Sequence, residues 1–146
     1  MKQAGCNEVD KSMNKMEEFN YTVEQFADLQ LLRYKVYGFE ELSLKQKELI
    51  YYLSQAALQG RDILFDQNGK YNLLIRKMLE TVYTEYQGDR TDVNFVNLET
   101  YLKRIWFSNG IHHHYASDKF VPGFTPEFLR DALNSVDAVS YTHLRA

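Results

Sequence analysis

Trp106-Phe-Ser-Asn-Gly-Ile-His-His-His-Tyr-Ala-Ser-Asp-Lys-Phe-Val-Pro-Gly-Phe-Thr125 is the stretch where the regular pattern of this chain breaks. Apolar residues recur at helical spacing before it, and a short helical pattern resumes after it. Ser108-Asn109-Gly110 is a helix stop, because Asn and Gly tolerate the left-handed backbone that a C-cap requires. Val121-Pro122-Gly123 is a second break, since proline fixes its own φ and pushes the preceding residue toward extended geometry. An irregular segment is therefore expected at 108–124, with at most a short strand near Ile111 to Tyr115. Loops held on a rigid scaffold are where binding residues collect. The expected fold class is mainly α, about five helices around that irregular segment.

Moving upstream, Asn94 to Phe107 reads as a helix with Phe95, Leu98, Leu102, Ile105 and Trp106 on one stripe. A polar connector, Asp89 to Asp92, separates it from a helix at Tyr71 to Tyr86 that ends before Gly88, with Leu74, Ile75, Met78, Val82 and Tyr83 turned inward. Asn68-Gly69 is a turn. Ser43-Leu-Lys-Gln46 has capping-box spacing and opens another helix, with Leu49, Leu53, Ala56 and Ala57 as its buried face and Gly60 as its stop. Arg61 to Phe65 is read as its prolongation. The same box recurs at Thr22-Val-Glu-Gln25, followed by Val23, Phe26, Leu29, Leu32 and Val36 at steps of three and four, which predicts a first helix ending at Gly38. Downstream, Thr125-Pro126-Glu127 supplies an N-cap, a first-turn proline and an acid. A last helix is expected there, carrying Phe128, Leu129, Ala132 and Leu133.

Three regions follow from this pass: a polar, aperiodic leader at 1–20, an ordered helical domain at 21–136, and a tail at 137–146. The chain of 146 residues suffices for one domain or part of a larger one. A net charge of −3, with bases interleaved among acids, argues against a nucleic-acid partner. No apolar run is long enough to span a bilayer. The single cysteine, Cys6, excludes an internal disulfide framework and any Cys-rich zinc site. Its setting, Ala4-Gly5-Cys6, has the form of a lipoprotein cleavage site without the apolar segment that should precede it. Two readings stay open: a cytoplasmic protein as written, or a periplasmic, lipid-anchored one whose start lies further upstream.

The three consecutive histidines His112, His113 and His114 are the most unusual local feature. On a helix they would point in three directions, and on a strand His112 and His114 would share a face, two ligands where zinc sites need three or four. No metal ligands are assigned here. Polar residues lining a cleft, or plain surface histidines, are the readings that remain. No serine sits in a Gly-x-Ser-x-Gly turn, and neither a P-loop nor a Gly-x-Gly-x-x-Gly fingerprint occurs. Acid pairs such as Glu17-Glu18 and Glu40-Glu41 have no apolar surroundings to raise a pKa. No catalytic residue is assigned.

Phe107-Ser108-Asn109 followed by Asp118-Lys119-Phe120-Val121-Pro122 resembles the N-terminal region of dipeptidyl peptidase III, a family of zinc-dependent exopeptidases. Upstream blocks resemble its bacterial branch: Tyr21 to Val36, Leu42 to Tyr52, and Gly60-Arg-Asp-Ile-Leu-Phe-Asp-Gln-Asn68. The resemblance spans about Tyr21 to Val136, and its specificity comes from several blocks in order. It implies a two-lobed peptidase with a wide cleft that binds peptides extended and releases dipeptides from their N-termini. The zinc of the full-length parent would be held by a His-Glu-x-x-Gly-His motif and a later Glu-Glu-x-Arg/Lys-Ala-Asp motif. Neither motif occurs in these 146 residues. The resemblance therefore implies an N-terminal part that builds a cleft wall, binds no zinc itself, is inactive alone and has the remainder of its own polypeptide as partner. Val139 to Ala146 no longer follows the family and reads as a truncation or assembly junction, with no weight placed on His143. Since this region borders the cleft in the family, Asn109, His112, His114 and Tyr115 are candidate peptide contacts, while Asn109 is equally well explained as a helix cap. The alternatives are a non-catalytic helical binding domain and a small metal-binding module built on the histidines.

Overall fold

The computed structural model describes residues 19–136. The leader up to residue 18, with Cys6, and the tail from residue 137, with His143, lie outside the described residues. Two strands, β1 (Thr22–Phe26) and β2 (Leu29–Leu32), precede a 3-10 turn at Phe39–Glu41. Five α-helices follow: α1 (Leu44–Gln59), α2 (Arg61–Gln67), α3 (Asn72–Glu85), α4 (Val93–Ser108) and α5 (Pro126–Ser135). The chain is mainly helical, as its patterning predicts.

The first predicted helix is instead an antiparallel hairpin. Its strands pair Glu24 with Leu31, Gln25 with Gln30 and Phe26 with Leu29, with a bulge between Thr22 and Glu24. A five-residue apolar stripe at steps of three and four is also compatible with alternation, and here alternation wins. Glu24, Phe26, Leu29 and Leu31 are the half-buried positions, one face of the ribbon. Charge pairing adds a second reason. Lys103 Nζ lies 2.6 Å from Glu24 Oε1, and Arg104 Nη2 lies 2.6 Å from Asp28 Oδ1, so adjacent cations of α4 hold both ends of β1. Thr22 caps no helix; its hydroxyl accepts from Gln30 Nε2 at 3.0 Å across the hairpin. The two-residue turn carries no glycine, and Ala27 takes a left-handed φ of 49°. Gly38 remains a break, with φ 82° at the head of the 3-10 turn.

The core lies between α3 and α4. Phe65 from α2, Leu79 and Val82 from α3, Leu98, Leu102 and Ile105 from α4, Phe124, and Ala132 from α5 form one buried cluster. The α4 stripe is buried as its spacing predicts, except that Trp106 is 39% exposed. On α3 the inward residues are Asn72, Arg76, Leu79 and Val82, and Leu74, expected inside, faces out. The reason is polar: Asn72 and Arg76 occupy the inner face, which rotates the apolar stripe. Arg76 Nη2 donates to Asp62 Oδ1 at 2.7 Å, and the guanidinium lies 4.6 Å over the Phe65 ring, joining α3 to α2. Hydrogen bonding from Arg76 lowers the Asp62 pKa. The stabilisation is thus present above the ordinary carboxylate range and is lost as pH falls through the depressed value.

α1 departs most from expectation. Its capping box is used in part, Gln46 Oε1 accepting from Ser43 N at 2.9 Å. No residue of the helix is buried, however, and Leu49 and Leu53 are 57% and 60% exposed. α2, read as a prolongation of α1, is a separate helix after Gly60, and it is Phe65 of α2 that enters the core. Apart from Gly60, both ends follow local signals. Thr125 Oγ1 accepts from Phe128 N at 3.2 Å with Pro126 in the first turn of α5.

Two measurements check this fold. Ala27→Gly should stabilise the protein by about 0.5–1 kcal/mol, the left-handed penalty of alanine less the larger unfolded-state entropy of glycine. A urea midpoint that falls instead contradicts the turn. Hydrogen bonds to Glu24 and then Glu99 raise the Lys103 pKa. A raised folded pKa gives a contribution complete below the ordinary lysine value and lost as pH rises through the folded one. The pair is partly exposed, so it is worth about 1 kcal/mol or less. The stability difference between wild type and Lys103→Gln at pH 8 should shrink toward zero above about pH 11; a difference that persists assigns Lys103 a packing role.

Candidate functional site

The loop after α4 begins with an αL residue. Asn109 has φ 53°, its N–H reaches back to Ile105 O, and its carbonyl accepts from Asn68 Nδ2 at 3.1 Å. Gly110 follows at φ 157°. Three backbone contacts then fold 111–120 into a narrow loop. His113 N donates to Asp118 O at 2.8 Å, Phe120 N donates to Ile111 O at 2.8 Å, and Ala116 N donates to His113 O at 3.1 Å. His112 and Lys119 form the only bridge of this loop, which is all that exists of the strand expected near Ile111 to Tyr115.

A cavity of about 360 Å³ lies between this loop, the turn before α3 and the end of α4. Asn68, Asn72, Ser108, Gly110, His112–His114, Ala116 and Ser117 line it. The turn at 113–116 therefore brings all three histidines to one space, which neither a helix nor a strand would do. His113 and His114 stack with ring centroids 4.4 Å apart, and Phe107 meets His114 edge-on at 5.1 Å. His113 Nδ1 accepts from Tyr115 N at 3.2 Å. In the neutral ring that leaves the proton on Nε2.

Asn72 fixes the floor. Its Oδ1 accepts from Ile111 N at 3.3 Å, which orients the amide so that Nδ2 lies over Gly110. A Cβ on Gly110 would stand 2.4 Å from Nδ2, so only glycine fits there, for steric as well as backbone reasons. Asn72 is 2% exposed and Ser108 is 8% exposed, yet Asn72 Nδ2 and Ser108 Oγ have no hydrogen-bond partner among the described residues.

Of the four candidate contacts, the structure brings His112 and His114 together at this cavity. Asn109 lines a different one, of about 470 Å³, with Arg61, Phe65, Glu80 and Trp106. Tyr115 is 89% exposed at the loop tip and lines neither. Asn68, Asn72 and Ser117 were not singled out by sequence reasoning as site residues. Asn68 was visible only as a turn residue, and Asn72 only as a first-turn helix residue. Among the described residues no group of three or more His, Cys, Asp or Glu side chains is placed to hold a metal ion. No described helix is long and apolar enough to cross a membrane. No known family model matches the chain, and no curated protein matches it.

Gly110→Ala should destabilise the protein by about 2 kcal/mol or more, combining the strained φ with displacement of Asn72. It should also release the Ile111 amide to solvent exchange. Wild-type stability and protection in that variant would show that Asn72 is not wedged against Gly110.

Proposed function

We propose that this chain is the N-terminal, helix-rich part of a bacterial dipeptidyl peptidase III-like exopeptidase. In this reading it builds one wall of the peptide cleft and has no peptidase activity alone. The observation that carries the reading is where the two most telling sequence blocks fall. Ser108 and Asn109 end α4, and Asp118 to Phe120 return antiparallel to Ile111–His113, so both blocks frame one polar cavity with the histidines between them. Peptide contacts would come from His112 and His114 on that cavity, and from Asn109 and Tyr115 on the flanking surface.

A second observation supports a larger lobe. α1 and α2 expose Leu44, Leu49, Ile50, Tyr51, Tyr52, Leu53, Leu58, Ile63 and Leu64, an apolar surface that in water favours burial against further protein. The remainder of the polypeptide is the partner this reading assigns to it. The zinc of such an enzyme does not fit the described residues. The histidine cluster includes no third-party carboxylate, and His113 Nδ1 is already an acceptor for Tyr115 N. The reading accordingly places zinc on residues outside this chain, and no chemical step is assigned to the residues described.

The test is hydrolysis of a dipeptidyl-arylamide with added zinc, by the 146-residue chain and by a protein extended through its reading frame. The expected result is cleavage by the extended protein alone, stopped by a chelator. Cleavage by the 146-residue chain, or an extended protein with no activity, overturns the proposal.

A further inference from the structure

Ser108 is unlike the other helical hydroxyls of this chain. Ser54, Thr81, Thr84 and Thr100 each donate to the carbonyl four residues back, at 2.8–3.0 Å. That local bond is the usual way for a helical hydroxyl to satisfy itself. Ser108 Oγ is buried beside the cavity without it, and Asn72 Nδ2 is buried on the same cavity, also without a partner among the described residues. A desolvated donor left unpaired costs about 1–3 kcal/mol. Two such groups on one cavity therefore form a site that binding of an acceptor would relieve.

The lining also determines the charge of what fits. It includes no Asp, Glu, Lys or Arg. A formal charge brought out of water into it would meet no countercharge, and that is expensive. What the cavity does provide is complementary to a neutral amide. Asn72 Nδ2–H, Ser108 Oγ–H and His113 Nε2–H can donate. Asn68 uses Nδ2 on Asn109 O, which leaves its Oδ1 as an acceptor at the mouth. The volume of about 360 Å³ lies within the range of sites that take small ligands.

We propose that this cavity binds a neutral peptide amide, its carbonyl oxygen seated on Asn72 Nδ2 and Ser108 Oγ, and that it excludes both charged termini of a peptide. This deepens the peptide-cleft reading of the same site and rests on it for the class of ligand. It assigns to Asn72 and Ser108 the capture of an interior peptide bond, a role distinct from holding an N-terminal ammonium.

The test is a titration of the full 146-residue chain at pH 7.5, following the Asn72 side-chain amide and the Ile111 backbone amide by NMR. Three probes are used: N-acetylalanine N′-methylamide, which is neutral; N-acetylalanine, a carboxylate; and alanine N′-methylamide, an ammonium. The neutral probe should shift both resonances saturably and bind at least tenfold more tightly than either charged probe. Ser108→Ala should weaken it about tenfold. Asn72→Asp, which keeps the Oδ1 acceptor for Ile111 N–H and removes the donor, should abolish binding with the Ile111 amide still in place. No saturable shift, or a charged probe binding as tightly, overturns the proposal. So does undiminished affinity in Ser108→Ala, which removes a single hydroxyl and keeps the test decisive should Asn72→Asp not fold. The two readings fail separately. An extended protein that cleaves peptides while Asn72 ignores the neutral probe defeats only the amide site. A chain that binds the probe while the extended protein is inactive defeats only the peptidase.

Discussion

Asn72 sits in the first turn of α3 with its amide wedged between Ile111 N–H and the bare Cα of Gly110, and the shape of the loop after α4 follows from that wedge. The contact closes 39 residues of chain and joins the end of one core helix to the start of another. It depends on two unrelated local facts. α4 must stop at an αL Asn109, so that Gly110 turns under α3. Gly110 must also lack a side chain, so that the Asn72 amide can lie against it. Once both hold, the backbone bonds from His113 to Asp118 and from Phe120 to Ile111 fold the rest of the loop back on itself, and the histidines face one space.

The helices that built this frame were legible because their signals are local. Phe95, Leu98, Leu102 and Ile105 recur at helical steps, and Thr125-Pro126 starts a helix wherever it is placed. The hairpin was not legible, because Val23, Phe26, Leu29 and Leu32 satisfy a helical period and a strand alternation alike over so short a run. What separates them is tertiary. Lys103 and Arg104, eighty residues away, choose the geometry that delivers Glu24 and Asp28 to α4 (about one pair at each end of β1). The α1 face failed for another reason. Periodicity reports that a helix has an apolar side, and it does not report which partner covers that side.

The site was legible in part. His112 and His114 stand out in any reading of the chain, but a period of two or of 3.6 residues cannot bring three consecutive side chains to one cavity; a turn at 113–116 does. Asn72 was hidden by its position, since an asparagine at the start of a helix is ordinarily explained as a capping or turn residue. Its role is visible only when Gly110 is seen beneath it. The polar inner face of α3, Asn72 and Arg76 together, links the two observations. The same rotation that exposes Leu74 carries Asn72 under the loop and Arg76 onto Asp62 and Phe65.

The measurement that tests the wedge most directly is amide hydrogen exchange at Ile111, in wild type and in Asn72→Ala. Loss of the acceptor should unprotect Ile111 and, with it, His113 and Phe120, while Leu102 and Ile105 in the middle and last turns of α4 keep their protection. If Ile111 exchanges equally in both proteins, Asn72 does not hold the loop, and the cavity described between α3 and the histidines is not set by that contact.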